Sequence, residues 1–163
     1  MLVFESDSNY FLSSEKSLLQ VNRIYDFLKH KSSWAHQRTL EEIITGIDHS
    51  YCIGIYYNDT WSAFTIESQI GFARVVTDFT SFALLCDVYI EEFHRHRGLA
   101  SWMLKYVFDS SSFKNIHTWL VEEGSDSPLY TRLGFLPLQS PNHWKEKTAS
   151  KENKEQQNLT TSQ

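Results

Sequence analysis

Cysteine is nearly absent from this sequence. The two that occur, Cys52 and Cys86, lie inside strand-like runs without C-x-x-C spacing, which excludes a disulfide framework. Also missing is a basic N-terminal region followed by an apolar stretch, so no secretory leader is expected. No apolar run approaches the roughly 20 residues that span a bilayer. Positive charge is scarce as well: 15 Lys and Arg against 20 Asp and Glu leave a net charge of -5 and a pI near 5.8. Nucleic acid and anionic membrane are both bound through basic surface, so neither is expected as a partner, and a cationic substrate suits the balance better. The G-x-x-x-x-G-K-[ST] phosphate loop is absent. His94 and His96, two apart on a loop and without a cysteine or carboxylate triad, read as surface histidines, so no metal is expected. These absences lead to the expectation of a soluble cytoplasmic protein, with access to the nucleus left open.

Apolar material is plentiful: 41% of the 163 residues are hydrophobic and 15% aromatic, enough for one full core. Residues 1–146 are read as a single domain. In residues 147–163 only Ala149 and Leu159 are apolar, and this tail is expected to be disordered. Val21, Ile24, Tyr25 and Leu28 follow helical spacing, and Thr39 is a plausible N-cap for a second helix ending near Ile47. Strands are expected over Tyr51–Tyr57, Ile70–Thr77 and Phe82–Ile90, with short edge strands at Leu2–Phe4 or Leu18–Gln20. A helix over Ala100–Phe108 with a narrow polar stripe should pack deeply. A strand at Ile116–Val121, a helix at Ser125–Leu133 and a last strand at Phe135–Leu138, paired with His143–Lys145, complete the expected order. Thr60–Gln69 is longer than a hairpin needs and is expected to form extended arms or a protruding loop carrying Trp61 and Phe64.

The most informative stretch is Arg95-His96-Arg97-Gly98-Leu99-Ala100, between the Phe82–Ile90 strand and the following helix. A strand, a glycine-containing turn and a helix N-terminus together aim free backbone N–H groups and the positive end of a helix dipole at one point. The N–H groups of Arg97, Gly98, Leu99, Ala100 and Ser101 are placed to hold a pyrophosphate, with Arg95 or Arg97 as counter-charge. The alternative is a surface turn with two solvated arginines.

Arg95-x-x-Gly98-x-Ala100 resembles the acyl-coenzyme A pyrophosphate loop of the GNAT superfamily of N-acetyltransferases, written Gln/Arg-x-x-Gly-x-Gly/Ala. Downstream, Leu129-Tyr130-Thr131-Arg132-Leu133-Gly134-Phe135 resembles the family's Phe-Tyr-x-Lys-x-Gly-Phe segment. Ile70–Asp78, Cys86-Asp87-Val88-Tyr89-Ile90 and Ser33-Trp34 further resemble a subgroup of small stand-alone bacterial and fungal members. The resemblance spans about Val21 to Leu138 and departs from the pattern in the Thr60–Gln69 insertion, in Leu129 for Phe and in a missing Asn before the last helix. It implies an α+β, three-layer fold with a mixed, mostly antiparallel sheet of six to seven strands flanked by about four helices. The implied co-substrate is acetyl-CoA, bound by Val88, Tyr89 and Ile90 along the arm and by Arg95, His96, Arg97, Gly98, Leu99, Ala100 and Ser101 at the pyrophosphate. Tyr130 is implied as the acid that protonates the leaving sulfur.

The amine must lose a proton, since an alkylammonium has a reference pKa near 10.4. Asp87, a carboxylate in an otherwise apolar strand, is the first candidate base, on the alternating face of Leu85, Tyr89 and Glu91. The alternative for Asp87 is a structural ion pair with Arg74. Glu91, Glu92 and His117 stand behind it. Cys86, on the opposite face from Asp87 in that alternation, reads as a core thiol. Trp34, with Trp61 and Phe64, would wall an amine pocket. The expected acceptor is the primary amine of a small molecule, met by a monomer or homodimer. The alternatives are a protein lysine or N-terminal acetyltransferase and a non-catalytic acyl-CoA-binding module.

Overall fold

Three runs rich in branched and aromatic residues form the middle of one sheet: β3 (Tyr51–Tyr57), β4 (Gln69–Thr77) and β5 (Phe82–Ile90). The computed structural model describes residues 2–4, 9–32, 35–58, 69–122 and 128–147. Two short strands, β1 (Leu2–Phe4) and β2 (Tyr10–Ser13), extend the sheet antiparallel beyond β3, and β6 (Thr118–Val121) joins β5 in parallel. The strand order is β1-β2-β3-β4-β5-β6.

Helices cover both faces. On one side α1 (Val21–His30) and α2 (Leu40–Asp48) pack Ile24, Phe27, Leu28, Ile43 and Ile47 against Cys52, Phe72 and Tyr89 of the sheet. Thr39 caps α2 as its sequence suggests, accepting from the Glu42 N–H while the Glu42 carboxylate accepts from the Thr39 N–H. The other side is covered by α3 (Leu99–Asp109), which buries Leu99, Met103, Leu104 and Val107 against Ile53, Ile55, Val75 and Leu85. The short α4 (Pro128–Arg132) adds Leu129 and Tyr130 to that second cluster. Alternation along β3 sorts the two cores: Cys52 belongs to the α1–α2 side, Ile53 and Ile55 to the α3 side.

Five of the expected strands form within this six-stranded sheet, but the remaining expected ones do not. Phe135–Leu138 and its partner His143–Lys145 are not strands. The Phe135 N–H turns back to the Tyr130 carbonyl, Gly134 is left-handed at φ +91°, and Pro137 removes a ladder donor. In their place Tyr10–Ser13 pairs with β3; all four residues are buried, so the run lacks the alternation that marks a half-buried strand. Leu18–Gln20 is not a strand either, because Lys16–Leu18 forms a 3-10 turn leading into α1. The Thr60–Gln69 insertion up to residue 68, Ser33-Trp34, the start of the Ser125–Leu133 helix and the tail beyond residue 147 lie outside the described residues.

Met103 is completely buried, whereas Thr39 acts at an exposed helix end. Urea denaturation should therefore give a loss of about 2–5 kcal/mol for Met103→Ala and about 0.5–2 kcal/mol for Thr39→Ala. A smaller loss at Met103 than at Thr39 would contradict this packing of α3.

Candidate active site

The sheet departs from regularity at Asp87. Cys86 is opposite Arg74 and Tyr89 is opposite Phe72, so Asp87 and Val88 together face Ala73: a β-bulge with one extra residue on β5. Asp87 takes the left-handed conformation, φ +54°, which Asp tolerates better than most residues. One extra residue reverses the alternation beyond it. Leu85 faces the α3 core, Cys86 shares the α1–α2 face with its partner Arg74, Asp87 stays on that same face, Val88 returns to the α3 side and Tyr89 packs with Phe27 and Phe72. The expectation that Asp87 shares a face with Leu85 and opposes Cys86 is therefore corrected by the bulge.

Beyond the bulge β5 has an open edge. β6 pairs with Phe82 to Leu85, and among the described residues Cys86 to Ile90 have no strand neighbour on that side. The Glu91 N–H bonds the Ile70 carbonyl at 2.7 Å, which turns the main-chain groups of Glu91 and Tyr89 toward β4. Those of Val88 and Ile90 consequently face the open side. Of the three residues expected to line an acyl-CoA arm, Val88 and Ile90 present backbone groups there, while Tyr89 does not. Tyr89 is a buried stacking residue, 3.8 Å between ring centroids from Phe27.

Past Ile90 a 3-10 turn at Glu92–His94 leads to Arg95–Gly98 and the start of α3. Gly98 is the N-cap of α3 in left-handed geometry, φ +79°, and His96 is also left-handed at φ +60°. The Trp102 N–H bonds the Gly98 carbonyl at 3.0 Å, whereas the N–H groups of Leu99, Ala100 and Ser101 have no hydrogen bond among the described residues. A Cβ placed on Gly98 would meet nothing within 4 Å, so the glycine is needed for its conformation, and the space above it is open. Unpaired N–H groups, open space and exposed Arg97 and His96 fit a pyrophosphate. The Arg95 Nε donates to the Ile90 carbonyl at 2.8 Å and ties the turn to the end of β5.

His94 is not the ordinary surface histidine expected. It sits between Tyr10 and Tyr57, with Nδ1 2.8 Å from the Tyr10 hydroxyl. Burial first, and Arg97 second, hold its imidazole below the usual histidine range.

On the opposite face, between α1, α2 and the sheet, lies an open cleft of about 370 Å³. Its polar side holds Asp87, Arg74, Arg38, Gln37 and Glu42. The Asp87 carboxylate accepts from Arg74 Nε at 2.6 Å and from Arg38 Nη1 at 2.9 and 3.1 Å. Its side chain is 3% exposed, against 12% for Arg74 and 37% for Arg38. The ion pair with Arg74 that the sequence left as an alternative is thus made, and Arg38 is a second partner that the sequence reading did not single out. No pattern marks Arg38: it is a lone basic residue one position before an N-cap.

The remaining candidates divide by face. Tyr130 is half-buried in the α3-side cluster that also contains Val88, 5.9 Å between ring centroids from Phe135. Tyr130 and Asp87 therefore approach β5 from opposite faces. Glu91 pairs with Lys31 at 3.0 Å, and Glu92 and His117 are exposed. Burial raises the Cys86 thiol above its usual range and pushes Cys52 up to about 11, so neither is an activated nucleophile. Trp34 lies outside the described residues.

Removing the carboxylate would strand two guanidiniums. Asp87→Ala should cost about 3–5 kcal/mol in denaturant melts, while Lys31→Ala, at a pair whose lysine is 55% exposed, should cost less than about 1 kcal/mol. Equal losses would show that the Asp87 cluster behaves as an ordinary surface pair.

Comparison with known proteins agrees with this geometry. The model of the acetyltransferase (GNAT) domain matches residues 50–137, over half of the chain. A candidate acetyltransferase of Gibberella zeae is 32% identical over 108 residues, covering 60% of this chain; the chain spans 61% of the length of that curated relative. A crystal structure of a candidate GNAT-family acetyltransferase from Xanthomonas campestris superposes with a TM-score of 0.76 at 28% identity, covering 86% of this chain and 93% of that one. A candidate acetyltransferase from Clostridium acetobutylicum, solved with acetyl-CoA, shares the fold at a TM-score of 0.61 and 18% identity, over 86% of this chain and 95% of its own. With its parallel β5–β6 pair, its glycine-capped turn and these matches, the chain belongs to the GNAT acetyltransferase family.

Proposed function

We propose that this protein is an acetyl-CoA-dependent N-acetyltransferase whose acceptor is the primary amine of a small molecule, attacking the thioester carbonyl directly. The observation that carries the reading is the open edge of β5 from Cys86 to Ile90, with the α3 turn on one side of it and the Asp87 cleft on the other. Acetyl-CoA supplies an activated acetyl group and a thiolate leaving group. The N–H groups of Leu99, Ala100 and Ser101, with Arg97, hold the pyrophosphate at the start of α3. The Val88 N–H, facing the open edge, stabilises the negative charge that develops on the carbonyl oxygen.

Tyr130 protonates the departing sulfur. A phenol with a reference pKa near 10 is protonated at neutral pH and close enough to a thiol, near 8.5, to deliver its proton. The amine enters from the α1–α2 face, where Asp87 is the proposed proton acceptor. Because the Asp87 oxygens already accept from Arg74 and Arg38, the proton reaches that carboxylate through water. Trp34 remains the proposed wall of the amine pocket. No helix among the described residues is long and apolar enough to cross a membrane.

The test joins calorimetry with acetyl-CoA to a thiol-release assay over a panel of amines and peptides. We expect binding, turnover of small amines, and for Tyr130→Phe a fall in kcat of about 100-fold with the acetyl-CoA affinity kept. Lack of binding at high micromolar acetyl-CoA would sink the reading, and unchanged turnover in Tyr130→Phe would remove that residue from its role.

A further inference from the structure

The net charge of -5 suits a cationic ligand, yet the cleft beside Asp87 has a different local balance. Of its two carboxylates, Asp87 is held between two guanidiniums, and Glu42 accepts the Thr39 N–H at 2.9 Å as part of the α2 cap. Of its two guanidiniums, Arg74 is committed to the sheet: Nε reaches Asp87, Nη1 reaches Ser50 at 3.2 Å, and the side chain is 12% exposed. Arg38 is different. Only Nη1 is engaged, the side chain is 37% exposed, and the Nε and Nη2 donors make no hydrogen bond among the described residues.

We infer that this cleft selects acceptors that carry a carboxylate beside the amine and an apolar side group, with Arg38 reading the carboxylate. The inference rests on the proposal that the cleft receives the acceptor. A guanidinium presents parallel donors whose spacing matches a carboxylate, and Asp87 holds this one in place beforehand, so little side-chain freedom is lost on binding. Opposite lie Ile24, Leu28, Ile43, Ile47 and Phe72, a wall suited to a branched aliphatic group. A volume of about 370 Å³ is at the small end for ligand pockets and matches an amino-acid-sized molecule. A plain alkylamine would cover Arg38 without replacing the water on its free donors.

Two arms test this on the full chain. In the first, calorimetry compares 4-methylpentanoate with the neutral 4-methylpentanamide, neither of which can be acetylated on an amine. The acid should bind the native protein about tenfold more tightly than the amide, and Arg38→Gln should abolish that preference. Arg38→Lys, which keeps the charge but loses the fork, should retain part of it. In the second arm, thiol release compares leucine with 3-methylbutylamine, which differ by the carboxylate alone. Leucine should show a kcat/KM about tenfold higher, with the ratio falling to near one in Arg38→Gln.

Equal binding of acid and amide by the native protein would overturn the inference, and so would a preference that survives in Arg38→Gln. If Arg38→Gln does not fold, the native acid-to-amide ratio and Arg38→Lys decide in its place. Turnover of both amines at equal rates would remove the carboxylate site and leave acetyl transfer standing. A carboxylate preference with no turnover of any amine would do the reverse.

Discussion

Asp87 is a carboxylate placed inside a sheet, and its two arginines make that placement tolerable. Its backbone lies in the left-handed region, at a cost of roughly 1–2 kcal/mol for a residue with a Cβ. Its charge has also lost nearly all contact with water, a larger penalty unless a partner sits close by. Arg74 at 2.6 Å and Arg38 at 2.9 Å supply that partnership. The bulge follows from the same residue, because the chain adds one position on β5 where Asp87 and Val88 share Ala73.

Much of the molecule depends on this one irregularity. Before it β5 is an ordinary central strand between β4 and β6; after it β5 is paired, among the described residues, with β4 alone and turns the Val88 and Ile90 main-chain groups to the other side. Arg95 then ties the α3 turn to Ile90, so the N-terminal end of the helix is held in register with that edge. The two faces have different chemistry as a result. The α3 side offers N–H groups and Tyr130, suited to a large anionic donor; the α1–α2 side offers a small cleft with a charged floor and an aliphatic wall. On the proposed reading, donor and acceptor approach from opposite sides and meet at the bulge.

The large elements were legible because their composition, apolar spacing and end signals are local. β3, β4 and β5 show as runs rich in branched and aromatic residues, α1 and α3 in apolar spacing, and the α2 cap at Thr39 is written in adjacent residues. The α3 turn could be read because strand, glycine and helix follow one another directly. What escaped were features that depend on contacts distant in sequence. Arg38 meets Asp87 across 49 positions, His94 meets Tyr10 across 84, and neither leaves a local mark. Alternation placed Asp87 with Leu85 because period-two reasoning has no means of seeing an added residue, and one bulge inverts every side chain beyond it. Tyr10–Ser13 was missed for a related reason: a strand buried on both faces carries no alternation.

The central claim, that the open edge of β5 and the turn before α3 form one acyl-CoA site joined at the Asp87 bulge, is tested most directly by following backbone amide resonances during an acetyl-CoA titration. The account predicts the largest shifts at Val88, Ile90, Gly98, Leu99, Ala100 and Ser101, with Tyr89, whose main chain is turned to β4, moving less than its neighbours. Saturable binding with shifts concentrated instead along β1 and β2, or with Val88 and Ile90 unmoved, would contradict it.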